Sequence, residues 1–116
     1  MVTSEFLAML KKNFQTGTIR HNAYNGDKIK RVAICGGSGK QLINNALVQK
    51  ADAFVTADLT YHDFFLPEQK MLLADIGHFE SEQFTSDLLV AMLNEKFPTF
   101  AVLKSAHKTN PVNYFL

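Results

Sequence analysis

The feature that most constrains the fold is a repeated plan. A short run rich in apolar and β-branched residues leads into a polar or glycine-rich turn, and then into apolar residues at helical spacing. It occurs first at Lys30–Cys35, which leads into Gly36, Gly37, Ser38 and Gly39 and then Leu42, Ile43, Ala46 and Leu47. It recurs at Ala53–Thr56, followed by a polar loop and a brief helix ending before Pro67, and at Met71–Ile76, followed by a helical pattern from Phe79 to about Lys96. Phe84, Leu88, Leu89, Met92 and Leu93 form the expected inward stripe of that helix, Pro98 stops it, and Thr99–Ser105 is predicted as the last strand. The run "RVAIC" reads as a strand buried on both faces. Strands alternating with helices require crossover connections, so the expected class is α/β: a mostly parallel sheet with helices on both faces. Ahead of this plan, Phe6, Leu7, Met9, Leu10 and Phe14 predict a helix over Ser4–Asn13 capped by Ser4, and Thr18–His21 is predicted as an antiparallel edge strand.

At 116 residues, with no linker or low-complexity stretch, residues 1–116 are expected to form a single domain. A hydrophobic content of 47%, a charged content of 20% and a net charge of +1 exclude a disordered tail and give no electrostatic ground for binding nucleic acid or an anionic membrane. No apolar run approaches the roughly 20 residues that span a bilayer, and the N-terminus lacks the pattern of a secretory leader. A lone cysteine, Cys35, fits a reducing compartment, so a cytoplasmic location is expected.

In an open α/β sheet, ligands bind beyond the carboxyl ends of the strands, so the residues after each strand carry the functional reading. They are Gly37, Ser38 and Gly39 after the first, Asp58, Tyr61, His62 and Asp63 after the second, and His78 and Glu82 after the third. The glycine turn could cradle an anion on backbone N–H groups, or simply allow strand and helix to meet; it matches neither the dinucleotide nor the Walker spacing. His78 and Glu82 are four residues apart, which places them on one helical face where they could hold a divalent ion, with Asp75 adding charge or orienting the imidazole. The ordinary alternative is first-turn capping by Ser81 and Glu82 beside an exposed histidine. His62 likewise reads either as a site residue or as a solvated one beside core aromatics.

The stretches "RVAICGGSG", "ADAFVTADLTYHDFF", "LLADIGHFESEQF" and "TNPVNYF", in this order and spacing, resemble the C-terminal part of the NIF-three-like family, dinuclear-metal proteins known as GTP cyclohydrolase 1 type 2 homologues. The element G-H-x-x-S-E, here Gly77, His78, Ser81 and Glu82, is the most specific part, and Ala57 departs from the glycine usual in the family at that position.

The resemblance implies one α/β lobe of a protein in which two lobes hold two divalent ions, whether zinc, manganese or iron. His78 and Glu82 would be metal ligands, Asp58 and His62 would move protons or orient ligands, and Gly37, Ser38 and Gly39 would receive the anionic part of a small substrate. It further implies metal-assisted hydrolysis, completed by an N-terminal lobe or by a homo-oligomer. The rival expectation is a non-catalytic metal-binding or oligomeric adaptor protein.

Overall fold

The computed structural model describes all 116 residues. They divide into two compact units, Met1–Ser81 and Glu82–Leu116. The first unit contains every strand: β1 (Arg20–His21), β2 (Val32–Ser38), β3 (Ala53–Ala57) and β4 (Leu72–Asp75), in the order β1-β4-β3-β2. β2, β3 and β4 run parallel, and β1 lies antiparallel on β4. The expected α/β class is therefore the observed one.

Side-chain alternation on the two central strands builds the two halves of the core. Ala53, Val55, Leu72 and Ala74 point to one face, where Phe6 and Leu10 of α1 (Thr3–Asn13) cover them. Phe54 and Leu73 point to the other, beneath Ile43 and Ala46 of α2 (Ile43–Val48). Both faces are thus covered, which is why β3 and β4 are buried at every position and apolar except at Thr56 and Asp75 near their carboxyl ends. α1 begins at Thr3 without a side-chain cap, so Ser4 lies inside its first turn and does not cap it. β1 is brief, but Asn22 prolongs its pairing with side-chain atoms: its amide donates to the Met71 carbonyl at 3.0 Å and accepts the Leu73 N–H at 2.7 Å.

β2 differs from the expected doubly buried strand that ends at Cys35. It continues through Gly36 and Gly37 to Ser38, its register on β3 shifts between Ile34 and Ser38, and it occupies the sheet edge. Ala33 and Cys35 pack onto the α2 side, but Val32 and Ile34 on the opposite side are 38% and 65% exposed. An apolar run reports burial only if both faces and both neighbours exist, and β2 has one neighbour. A 3-10 turn, Lys40–Leu42, then leads into the six-residue α2, so the expected direct step from glycine turn to helix is replaced by an extended strand end and a 3-10 entry.

The loop after β3 forms a second 3-10 helix, Tyr61–Phe65, closed by a reciprocal cap between Thr60 and Asp63. The Thr60 N–H holds the Asp63 carboxyl below its usual range, and the amides of Arg31 and Lys30 do the same for Asp52. α3 (His78–Glu82) follows β4.

In the second unit, α4 (Thr85–Lys96) buries none of its residues. The stripe expected to face inward, Phe84, Leu88, Leu89, Met92 and Leu93, is exposed, because no layer of this unit lies over it. Thr99–Ser105, expected to be a strand, has no strand pairing: a β conformation needs a neighbouring edge to satisfy its backbone, and its own unit contains no strand. The ends of this segment are tied by Lys104 to Asp87 at 2.8 Å and by edge-on packing of Phe97 and Phe100 at 5.7 Å. At the C-terminal end, Phe115 and Leu116 are fully exposed. No helix of the chain is long and apolar enough to cross a membrane.

Candidate functional site

Three parallel strands ending at one edge bring Ser38, Asp58 and His78 together. Asp58 directly follows β3 in the left-handed region, φ 58°, where a short carboxylate side chain is tolerated better than most. Its Oδ2 accepts the Ser38 hydroxyl and lies 2.6 Å from His78 Nδ1. The Ser38 bond, followed by the His78 bond, lowers the Asp58 pKa, so the group is a carboxylate at neutral pH. A carboxylate has no proton to give, so Nδ1 of His78 carries the hydrogen, and a metal-ligand role of this imidazole would use Nε2. This is the arrangement by which carboxylates orient metal-binding histidines. The pair is about half exposed, which leaves it open to solvent and solutes.

Asp75, considered for the same orienting task, does something else. It is 6% exposed, and its Oδ2 takes the Leu59 N–H at 3.0 Å and Arg20 Nη2 at 2.5 Å, while Oδ1 takes the Gly77 N–H at 3.0 Å. Arg20 also donates to the Leu59 carbonyl at 2.7 Å and stacks over Phe64 at 5.4 Å. Asp75 is therefore a knot that fixes both loops flanking the Asp58–His78 pair. Arg20 was invisible as a site residue in sequence; only the antiparallel register that sets it opposite Asp75 reveals it.

Ser81 also gains a defined task. Its hydroxyl accepts the Gly37 N–H at 2.8 Å and donates to the His78 carbonyl at 2.8 Å, tying the end of β2 to α3. Gly37 presents that N–H from a left-handed conformation, φ 69°, and the buried Thr56 hydroxyl donates to its carbonyl at 3.0 Å. Gly39 must be glycine for space: an added Cβ would fall 2.3 Å from the Thr56 hydroxyl oxygen and 2.9 Å from Cys35 Cβ. Replacing Ser81 by alanine is expected to cost about 1 kcal/mol of stability, the worth of an ordinary hydrogen bond with one partner left wanting. The check is hydrogen exchange: the Gly37 amide speeds up while amides of β3 and β4 lag behind it.

The other expected site residues are placed differently. Gly37 and Ser38 belong to the end of β2, and Gly39 precedes the 3-10 turn; Ser38 spends its hydroxyl on Asp58. His62 sits on the 3-10 helix among aromatic rings, 5.2 Å from Tyr61 and 6.4 Å from Phe65. Glu82 closes α3, whose first residue is His78. No group of three or more His, Cys, Asp or Glu side chains is assembled for a metal ion. Ala57, the departure from the family pattern, is an ordinary buried β3 residue, and the unusual backbone falls one position later at Asp58.

A mostly parallel sheet whose strand ends gather Ser38, Asp58 and a carboxylate-held His78 defines an α/β protein with a polar cluster at one sheet edge. The chain belongs to the Duf34/NIF3 (NGG1p interacting factor 3) family, whose model matches residues 1–111. It is 34% identical over 119 residues to a GTP cyclohydrolase 1 type 2 homolog of Staphylococcus aureus, covering 98% of this chain and 32% of the relative. It is likewise 34% identical over 107 residues to the homolog of Campylobacter jejuni, covering 91% of this chain and 42% of the relative. Among solved structures, a Staphylococcus aureus protein aligns with TM-score 0.81 at 31% identity over 99% of this chain and 39% of that one. A Bacillus cereus protein related to NIF3 aligns with TM-score 0.79 at 25% identity over 99% and 33%. The chain thus spans about a third of the length of the Staphylococcus aureus relatives it matches.

Proposed function

We propose that residues 1–116 act as one metal-binding lobe of a dinuclear-metal hydrolase of this family, working in the cytoplasm on a small anionic substrate. The observation that carries the reading is the Asp58–His78 pair, a carboxylate holding Nδ1 of the imidazole at 2.6 Å within the G-H-x-x-S-E element. His78 and, one helical turn on, Glu82 are the ligands this chain contributes. Two ligands leave a coordination sphere open, so the remainder comes from an N-terminal lobe or another copy. Zinc, manganese or iron, when bound, would supply Lewis acidity and water activation for hydrolysis. Asp58 keeps the histidine in its binding tautomer, Ser38 keeps Asp58 in place, and His62 is the candidate for moving a proton at the rim. Gly37, Ser38 and Gly39 would lie beside the anionic group of the substrate, which would have to take over the Gly37 N–H from Ser81 or the Ser38 hydroxyl from Asp58.

The test is uptake of zinc, manganese and iron by the purified chain, measured by elemental analysis and titration calorimetry. Wild type is expected to bind weakly. His78→Ala and Glu82→Ala should each abolish that binding, and Asp58→Asn should weaken it about 10- to 100-fold, as loss of an orienting carboxylate does elsewhere. A chain that takes up no metal, or whose uptake ignores all three substitutions, overturns the reading. It would favour the adaptor alternative, to which the exposed apolar stripe of α4 lends weight.

A further inference from the structure

Each strand of the first unit delivers a polar residue to the same edge. Ser38 ends β2, Asp58 follows β3, His78 follows β4, and Arg20 opens β1, whose antiparallel register sets it opposite Asp75. Arg20 is the cation among them. Its Nη2 spends both hydrogens, one on Asp75 Oδ2 at 2.5 Å and one on the Leu59 carbonyl at 2.7 Å. A guanidinium has five N–H donors, so Nε and Nη1 keep three, and these make no hydrogen bond within the protein. The side chain is 57% exposed.

An exposed arginine ordinarily gives up rotamer freedom before it can hold a ligand. Here the fold has already fixed it. The buried Asp75 and the backbone of Leu59 grip one end of the guanidinium, and the Phe64 ring lies against its face at 5.4 Å. Leu59 directly follows Asp58, so the group is pinned next to the Asp58–His78 pair. Its charge reaches that pair: after the bonds from Ser38 and His78, Arg20 adds to the lowering of the Asp58 pKa. Lys40, beyond the glycine turn, is a second cation, felt by Asp63, but no hydrogen bond fixes its ammonium.

The donors of the glycine turn are already engaged. Ser81 holds the Gly37 N–H and Asp58 the Ser38 hydroxyl, so an anion must displace a bond to use them. Arg20 offers its donors without that cost. Geometry also selects the anion. Nη2 belongs to both parallel N–H pairs of a guanidinium, so with Nη2 spent no two-bond fork remains for a planar carboxylate. Diverging single donors suit a tetrahedral group, which has an oxygen for each and carries more charge.

We propose that Arg20 is the anion-recognising residue of this edge and that it takes the phosphoryl group of a phosphate ester on Nε and Nη1, beside the Asp58–His78 pair. The assignment rests on reading the edge as the site of a small anionic substrate. Asp58 stands nearby with like charge, so phosphate alone binds weakly and is best measured at low, constant ionic strength.

The experiment is titration of the metal-free, nitrogen-labelled chain with inorganic phosphate, followed by nuclear magnetic resonance at Arg20 Nε–H and the backbone amides. Wild type is expected to show saturable shifts of Arg20 Nε–H and the Leu59 amide with one midpoint, and acetate should shift them less at equal concentration. Arg20→Gln should abolish the Leu59 shift. Because that change also removes a partner of Asp75, Phe64→Leu is the second variant. It spares both Arg20 bonds, removes the ring, and should raise the phosphate midpoint about 2- to 5-fold, the worth of an exposed cation–π contact. Shifts that do not saturate, or that spread over surface lysines, mean an adventitious ion only and overturn the proposal. So does binding centred on the amides of Gly37, Ser38 and Gly39 that leaves Arg20 unmoved, and acetate equal to phosphate overturns the phosphoryl assignment. Failure here with metal uptake intact at His78 and Glu82 strikes Arg20 alone. A saturable Arg20 response in a chain that takes up no metal upholds Arg20 and removes the metal reading.

Discussion

Replacing Asp75 by alanine is expected to destabilise the first unit by about 3 kcal/mol, the combined cost of leaving two backbone donors without their acceptor. The carboxylate is nearly inaccessible and accepts three hydrogen bonds: from the Leu59 N–H, the Gly77 N–H and Arg20. Alanine would strand two backbone donors away from water, each costing about 1–3 kcal/mol. Arg20 itself is more than half exposed and can recover water, so the loss falls mostly on the two amides. Urea denaturation should show the midpoint falling, and Asp75→Asn should recover part of it, since the amide oxygen can still accept one backbone bond. Both loops fastened by Asp75 lead to the site, one to Asp58 and the other to His78. The same substitution should therefore broaden the His78 ring signals in nuclear magnetic resonance. Stability equal to that of wild type would remove Asp75 from its role as the knot of the strand ends.

Phe54→Ala is expected to cost about 3–5 kcal/mol, the usual range for deleting a buried aromatic ring. Phe54 is 2% exposed on β3 and packs among Ile43, Ala46, Leu59, Met71 and Leu73 beneath α2. α2 has only six residues, too short to hold itself by helix propensity, so it depends on this contact. Hydrogen exchange should show α2 opening before the α1 face, whose own cluster of Phe6, Leu10, Val55 and Leu72 does not include Phe54. Simultaneous loss of both faces would mean that the two halves of the core are less separable than side-chain alternation implies. Leu73→Ala, on the same face of β4, should cost about 2–5 kcal/mol and act in the same direction.

Much of the fold was legible in sequence for a local reason. β3 and β4 announced themselves because a strand covered on both faces is apolar along most of its length, with Thr56 and Asp75 coming only near the carboxyl ends. Loop chemistry was legible as well: the residues after each strand pointed to Ser38, Asp58 and His78 before their contact was known. The contact itself was not readable. Which carboxylate holds His78 depends on strand order and on the left-handed turn at Asp58, and Asp75, nearer in sequence, was the tempting wrong candidate.

The failures share one cause. "RVAIC" was expected to be buried on both faces, the α4 stripe to face inward, and Thr99–Ser105 to pair as a strand. In each case the residues have the composition of a buried element, but the neighbour that would bury them is not provided within the described units. By itself the sequence determined periodicity, turn positions, helix stops and the chemical types gathered at the strand ends, because these depend on covalent spacing and backbone sterics. Only the tertiary structure decided strand order, the edge position of β2, the Asp75 knot and the bare apolar border, because burial and hydrogen-bond pairing belong to surfaces that meet, not to the residues that carry them.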